Sequence, residues 1–143
     1  MTAQTTPLPG VEQLLEDLSF LDDWEDRYRY IIDLGKQLPP MPPELKTDAT
    51  FLPGCQSQVW IHARHDASTG TLQFDCDSDA FIVKGLLALV MAACHGKTPS
   101  QILGFDMDSF FARIGLLKHL SPTRGNGLRS MVRRIHSIAS TLA

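Results

Sequence analysis

Cys55 is the residue of this sequence whose type and setting are best suited to chemistry. It follows Pro53 and Gly54, which favour a turn and leave little side-chain bulk beside the thiol. Its thiolate could attack another sulfur atom, which is how a persulfide sulfur passes directly between cysteines. A lone cysteine in a globular protein is, however, most often a small buried apolar residue. The spacing alone therefore leaves both interpretations open.

The residues after Cys55 predict a rigid support for it. Residues 59–64 and 71–76 each alternate apolar and polar side chains around a polar, glycine-containing turn, which predicts an antiparallel hairpin. A short strand near residues 49–52 would add a third. Reactive groups concentrate on loops held by rigid scaffolds. We therefore expect Cys55 at the tip of a loop. Because an exposed persulfide there would be oxidised or reduced, we also expect the residue to be shielded by apolar side chains at rest, with Gly54 as the hinge that lets it swing out on docking.

Helical patterns lie on both sides of the hairpin. The last predicted helix has a basic exposed side, which indicates either a solvated face or a docking surface for a partner, formed by Arg129, Arg133 and Arg134. The chain is thus predicted to be an α+β domain with a small three-stranded antiparallel sheet packed against several helices. The predicted helix starts are near Val11, at Asp22 or Asp23, near Ala80 with Asp77 or Asp79 as its cap, at Thr98, at Asp108 or Ser109, and at Ser121.

Length and composition exclude several classes of protein. The 143 residues indicate one domain over residues 1–143, with residues 1–8 frayed. A net charge of −3 provides no field that would attract nucleic acid or an anionic membrane, and no apolar run approaches the ~20 residues of a membrane span. The first ten residues lack the pattern of a secretory signal, which predicts a cytoplasmic protein with free thiols at Cys55, Cys76 and Cys94.

Other apparent motifs in the sequence are incomplete. Residues 75–79 resemble the start of a calcium loop but lack its later glycine and glutamate, and residues 96–98 lack the upstream glycine of a phosphate loop. His62 and His65 fall on opposite faces of a strand, and no pair of cysteines has zinc-site spacing. We expect no metal and no bound cofactor. Cys94 is predicted to be a core residue, and Cys76 a weak candidate for a resolving thiol.

Longer strings of the sequence match a known family in order along nearly the whole chain. The most specific string is Gly-Cys-Gln-Ser-Gln-Val-Trp at residues 54–60. The other matching segments are residues 24–28, 31–39, 77–80, 82–86 and 119–128. On these residues the chain resembles the SufE family of sulfur-acceptor proteins, and it is closer to SufE than to the CsdE branch. It departs from the family mildly at Thr123, where serine is frequent.

The resemblance implies a fold like that of the IscU scaffold and a role for particular residues. Cys55 would be the persulfide acceptor, whereas Gly54, Gln56, Asp79 and Arg124 would place the loop or contact the partner. The implied partners are a SufS- or CsdA-like cysteine desulfurase and a SufBCD-type scaffold. Pyridoxal phosphate would belong to the desulfurase, and the chain itself would carry no cofactor.

The function expected from this resemblance is that of a sulfur carrier. It would accept sulfur on Cys55 from a cysteine desulfurase, stimulate that enzyme and deliver the sulfur for iron–sulfur cluster assembly, without catalytic turnover of its own. The alternative is an activator or adaptor that acts on the desulfurase by contact only. A thiol peroxidase or general thiol oxidoreductase ranks last, because the sequence offers no strong resolving cysteine beside Cys55.

Overall fold

The computed structural model describes residues 8–54 and 57–142, so the predicted fraying of residues 1–8 falls, except for Leu8, outside the described residues. Within these ranges the chain is an α+β fold of six helices and a two-stranded antiparallel sheet. Short 3-10 turns lie at Pro43–Leu45 and Leu117–His119. The elements are α1 Val11–Ser19, α2 Trp24–Lys36, β1 Val59–Asp66, β2 Thr71–Ser78, α3 Phe81–Cys94, α4 Pro99–Gly104, α5 Met107–Ile114 and α6 Pro122–Leu142.

Helix starts follow local capping chemistry. The Asp23 carboxylate accepts the N–H of the second residue of α2, and Thr98 opens α4 with a reciprocal capping box, as predicted. The start predicted for α5 at Asp108 or Ser109 is wrong. The Asp106 side chain accepts the N–H of Ser109, so Asp106 is the cap and the helix begins at Met107. With Asp108 as the cap, the helix would have begun at Ser109. Side chains close together in sequence compete for the cap, and the pattern alone does not rank them.

Helix α3 is the centre of the hydrophobic core, as its apolar pattern predicts, and most of its residues are buried. It crosses α2 where Gly85 meets Gly35 and Ile31. A Cβ atom on Gly85 would lie 2.8 Å from the Ile31 carbonyl carbon and closer still to its oxygen, and one on Gly35 would lie 2.6 Å from the Gly85 nitrogen. Only glycine at these two positions lets the two backbones approach so closely. No helix among the described residues is both long and apolar enough to cross a membrane.

The hairpin of β1 and β2 lies against α3 and is confirmed as predicted. The two strands pair from Val59 opposite Ser78 to Asp66 opposite Thr71. The alternation of side chains along both strands directs one face into the core and leaves the other partly exposed. The core-facing residues are Val59, Ile61, Leu72, Phe74 and Cys76.

The third strand expected near residues 49–52 is not formed by the described residues. Phe51 makes only an isolated bridge with Trp60. The residues before it form a turn, in which the Thr47 carbonyl accepts the N–H groups of Thr50 and Phe51. Pro53 has no N–H to extend the ladder. The turn on one side and the proline on the other leave too little extended chain for a strand, so the prediction of three strands is not confirmed.

Candidate functional site

Residues 53–58, here called the cysteine loop, are closed at their base by the hairpin. The Leu52 N–H donates to the Val59 carbonyl at 2.8 Å, and the Ile61 N–H donates to the Thr50 carbonyl at 2.9 Å. These two bonds hold the entry and the exit of the loop side by side. Cys55 and Gln56 themselves lie outside the described residues. The geometry of the site therefore comes from the residues that flank them.

Gly54 gives the chain a reversal at the entry to the cysteine loop. Its φ of +88° is in the left-handed region, which side chains other than that of glycine adopt only with strain. Apart from its two chain neighbours, no atom of the described residues lies within 4 Å of the position that a Cβ on Gly54 would take. Glycine is therefore favoured at this position by its backbone conformation and not by a lack of space for a side chain.

Asp79 holds the exit of the cysteine loop. Its Oδ1 accepts the Gln58 N–H at 3.0 Å, and its own N–H donates to the Gln58 carbonyl at 3.3 Å. The prediction that Asp77 or Asp79 caps α3 is wrong. The Ala80 N–H at the start of that helix donates to the Ser78 hydroxyl. Asp79 is instead engaged by a backbone amide 21 positions away in sequence, a contact that spacing does not reveal.

A cluster of charged side chains lies beside the base of the loop. The Asp77 carboxylate accepts from Lys46 Nζ at 2.8 Å and lies 3.4 Å from Lys84 Nζ. Burial by itself would raise the pKa of Asp77, but the bond from Lys46, the Ser78 N–H and the charge of Lys84 outweigh it and lower that pKa. Lys46 also lies 4.8 Å from the ring centroid of Trp60, a cation–π contact. The cluster fastens the segment before the loop to both strands.

A small cavity opens between the cysteine loop and helices α3 and α6. Its volume of about 20 Å³ holds roughly one water-sized group. Apolar side chains form its floor, and Arg124, which is exposed, stands at its edge. Its lining includes Ser57, Val83, Leu86, Thr123, Arg124 and Met131.

The C-terminal helix also reaches the entry of the loop. The Arg134 guanidinium donates to the Phe51 carbonyl at 3.2 Å. Of the three arginines predicted to form a solvated or docking face, Arg134 is therefore a structural contact of this site. Arg133 bonds Ser130 on its own helix, and Arg129 is exposed.

Cys76 and Cys94 are unsuited to sulfur chemistry. They are 4% and 1% exposed, and both lie in the core, as predicted for Cys94. Burial raises the pKa of each thiol to about 12; for Cys76 the carboxylates of Asp77 and Asp75 add to the effect. A thiol that stays protonated is a poor nucleophile, which also argues against Cys76 as a resolving cysteine.

Comparison with known proteins identifies the family. Residues 12–139 match the family model described as SufE, Fe-S metabolism associated domain. The chain belongs to the SufE family. Among its relatives in that family, an uncharacterised SufE-like protein of Rhizobium meliloti is 50% identical over 134 residues, which is 92% of this chain and 96% of the relative. A second, from Rhizobium etli, is 46% identical over 138 residues, 95% of this chain and 93% of the relative.

A solved structure has the same fold as this SufE-family chain. The solution structure of a hypothetical protein from Thermus thermophilus matches with a TM-score of 0.74 and 22% identity, covering 92% of this chain and 94% of the other. At that identity the likeness concerns the fold alone. The family membership connects the chain with iron–sulfur metabolism, and the structural likeness concerns its fold.

The structure brings three of the predicted SufE-family site residues around the cysteine loop. Gly54 lies at its entry, Asp79 bonds its exit, and Arg124 borders the cavity beside it. The sequence did not reveal the roles of Lys46 and Arg134, because both depend on contacts between segments far apart in sequence. Alternation along β2 could have indicated that Asp77 points away from the core, but it could not have indicated the two lysines that meet it.

The part of the chain that the structure describes contains no group of three histidine, cysteine, aspartate or glutamate side chains that could hold a metal ion. His62 lies 3.5 Å from the Asp75 carboxylate, which it shares with Arg64. This histidine therefore lies beside the ion pair of Arg64 and Asp75, on the outer face of the hairpin.

The burial of the two core cysteines predicts strongly reduced reactivity. At pH 8, a thiol of pKa about 12 is ionised to roughly one part in ten thousand, against about a quarter for an ordinary cysteine. We expect iodoacetamide to label Cys76 and Cys94 at least about 100-fold more slowly in the folded chain than in guanidinium chloride, as measured by peptide mass spectrometry. Labelling of either residue at its unfolded-state rate would contradict the burial described here.

Proposed function

We propose that this chain is a sulfur carrier in which Cys55 accepts sulfur as a persulfide from a cysteine desulfurase. The observation that carries the proposal is the Gly-Cys-Gln-Ser-Gln-Val-Trp string of residues 54–60, which lies within the family match. That string belongs to a loop closed at its base by the hairpin and held at its exit by Asp79. A stiff base below a short loop suits a group that must enter another protein's active site.

The transfer step needs no external oxidant or reductant. The Cys55 thiolate attacks the outer sulfur of the donor's Cys–S–SH group, and a new sulfur–sulfur bond forms on Cys55. The sulfur–sulfur bond of the donor breaks, its cysteine leaves as a thiolate, and that thiolate takes up the proton of the transferred sulfhydryl. The outer sulfur keeps its oxidation state throughout. The donor thus returns to its resting form, which is how a carrier stimulates turnover of the desulfurase.

The cavity beside Ser57 supports a sheltered resting position for the transferred sulfur. Ser57 is separated from Cys55 by one residue, and the apolar floor of the cavity is formed by Val83, Leu86 and Met131. An exposed persulfide is open to oxidation and reduction, so a small apolar space of this kind would protect it. Gly54, with its left-handed φ and open surroundings, suits the hinge that moves the loop out.

The partners of the proposed carrier are a SufS- or CsdA-like desulfurase as donor and a SufBCD-type scaffold as recipient. The chain would work in the cytoplasm, where free thiols are maintained. Asp79 would position the loop, and Arg124, exposed at the mouth of the cavity, would contact the donor. Gln56, together with Cys55, would form the tip that enters the donor.

The proposal is tested by the intact mass of the chain after incubation with a SufS-type desulfurase, pyridoxal phosphate and L-cysteine. We expect a gain of one sulfur atom, about 32 Da, that dithiothreitol removes. Peptide mapping under non-reducing conditions should locate it on Cys55. If the two proteins associate but sulfur from labelled L-cysteine never appears on Cys55, the carrier function is contradicted.

A further inference from the structure

Phe81 is an apolar side chain with no role in the core. Of the large apolar residues in the described ranges, Phe20 and Phe81 are the most exposed, at 77% and 73%. Phe81 is the first residue of α3 and follows Asp79 by two positions. Asp79 holds the exit of the cysteine loop, and Val83, two residues further, lines the cavity beside it. The exposed ring therefore belongs to a residue two positions from a contact of the loop and two positions from a lining residue of the cavity.

The surroundings of the loop carry positive charge although the whole chain has a net charge of −3. Of the charged side chains described above at the loop, four are basic (Lys46, Lys84, Arg124 and Arg134) and two are acidic (Asp77 and Asp79). Lys46 and Lys84 both contact Asp77. Arg124 makes no ion pair within the described part of the chain, and the first turn of α3 contains no acidic residue. The long helix α6, on which Arg124 lies, carries four arginines and no carboxylate side chain.

We propose that Phe81, Lys84 and Arg124 form a docking edge for the cysteine desulfurase, with the Phe81 ring entering an apolar pocket that is bordered by carboxylates. This inference rests on the proposed function, because it places the donor over the cysteine loop. Aromatic residues and arginine are enriched at protein–protein interfaces, whereas a lysine at the rim chiefly affects the rate of association. The surplus of positive charge is complementary to an acidic surface and opposed to a basic one.

The docking edge would both orient the desulfurase and bind it. The ring supplies apolar area at low conformational cost, because phenylalanine has only two side-chain torsions. Lys84 and Arg124 direct the approach, so the donor arrives with its acidic border over the cavity. The donor's persulfide would then approach the cysteine loop.

The test is the dissociation constant for the SufS-type desulfurase of the same organism, measured by isothermal titration calorimetry with the full chain. We expect Phe81→Ala to raise the Kd at least about tenfold and Phe81→Leu to restore part of the loss. Phe20→Ala is the matched control, because it removes an equally exposed ring at the end of a different helix; its Kd should stay within about twofold of the unmodified chain. Circular dichroism should show all variants folded, since both rings are exposed.

A second pair of variants tests the sign of the partner's charge. Both Phe81→Lys and Phe81→Glu remove the ring, but an acidic border on the donor should favour lysine. We expect the glutamate variant to bind at least about threefold more weakly than the lysine variant, and the difference to shrink as salt is added.

The outcomes separate this inference from the proposed function. If the unmodified chain accepts sulfur on Cys55 while Phe81→Ala binds within about twofold of it, or Phe20→Ala loses as much affinity, the docking edge is overturned and the carrier function stands. If the glutamate variant binds as tightly as the lysine variant, the acidic border is overturned. If the unmodified chain neither binds the desulfurase nor gains sulfur, the carrier function fails, and the docking edge fails with it.

Discussion

A Cys55→Ser chain is expected to take up no sulfur and to lose its stimulation of the desulfurase. A serine hydroxyl stays protonated at neutral pH and cannot form a persulfide, so the donor's outer sulfur has no acceptor. Release of alanine from L-cysteine should fall to the rate of the desulfurase alone when no other thiol is supplied. The measurement is the steady-state rate of alanine formation at several concentrations of the chain, with intact mass recorded in parallel.

The same variant separates the carrier from an activator that works by contact only. Cys94→Ala is the control: it removes a buried thiol at a cost of about 1 kcal/mol of stability and should keep both sulfur uptake and stimulation. If the serine variant stimulates the desulfurase as strongly as the unmodified chain, activation is by contact. The sulfur-carrier mechanism would then be wrong, whereas the family membership would be unaffected.

A Gly85→Ala chain is expected to lose about 3 kcal/mol of its free energy of unfolding. The added Cβ would lie 2.8 Å from the Ile31 carbonyl carbon, which belongs to the backbone of α2 and cannot rotate away. Alanine gains about 1 kcal/mol over glycine in helix propensity. The steric cost should exceed that gain, because α2 and α3 must separate and lose packing along their whole contact.

Urea unfolding followed by circular dichroism measures this loss, and the melting temperature should fall by about 6–12 °C for a chain of this size. Gly104→Ala is the matched control, since that glycine is also helical but no atom lies within 4 Å of its Cβ position. We expect this control to be neutral or slightly stabilising. Equal stability of the Gly85→Ala chain and the unmodified chain would mean that the two helices do not cross as closely as described.

The sequence predicted correctly several features that depend on neighbours along the chain. Thr98 begins α4 as predicted, because a capping box involves only residues three positions apart. The hairpin is also as predicted, since alternation and turn chemistry are both local. The prediction of a third strand is not confirmed, and the reason is partly local. The turn formed by Thr47 and Thr50 leaves only a short extended segment before Pro53.

The arrangement of the candidate site depends on distant contacts, which a single sequence does not display. Asp79 could have capped α3 by its position, but it bonds Gln58 on the other side of the hairpin instead. Lys46 meets Asp77, and Arg134 meets Phe51, across 31 and 83 positions of sequence respectively. Turn chemistry already indicated Gly54, whereas only the family resemblance connected Asp79 and Arg124 with the loop, and it did so without a physical reason for their roles.

The short span of the loop limits how deeply it can probe a partner. A segment of six residues, fixed at both ends by the bond between Leu52 and Val59, extends no further than about 10 Å from its base. While Asp79 holds Gln58, only five of these residues are free, and the full reach is available only when Gln58 is released. A donor enzyme whose persulfide lies deeper than this must move the persulfide towards its own surface before the sulfur can be transferred.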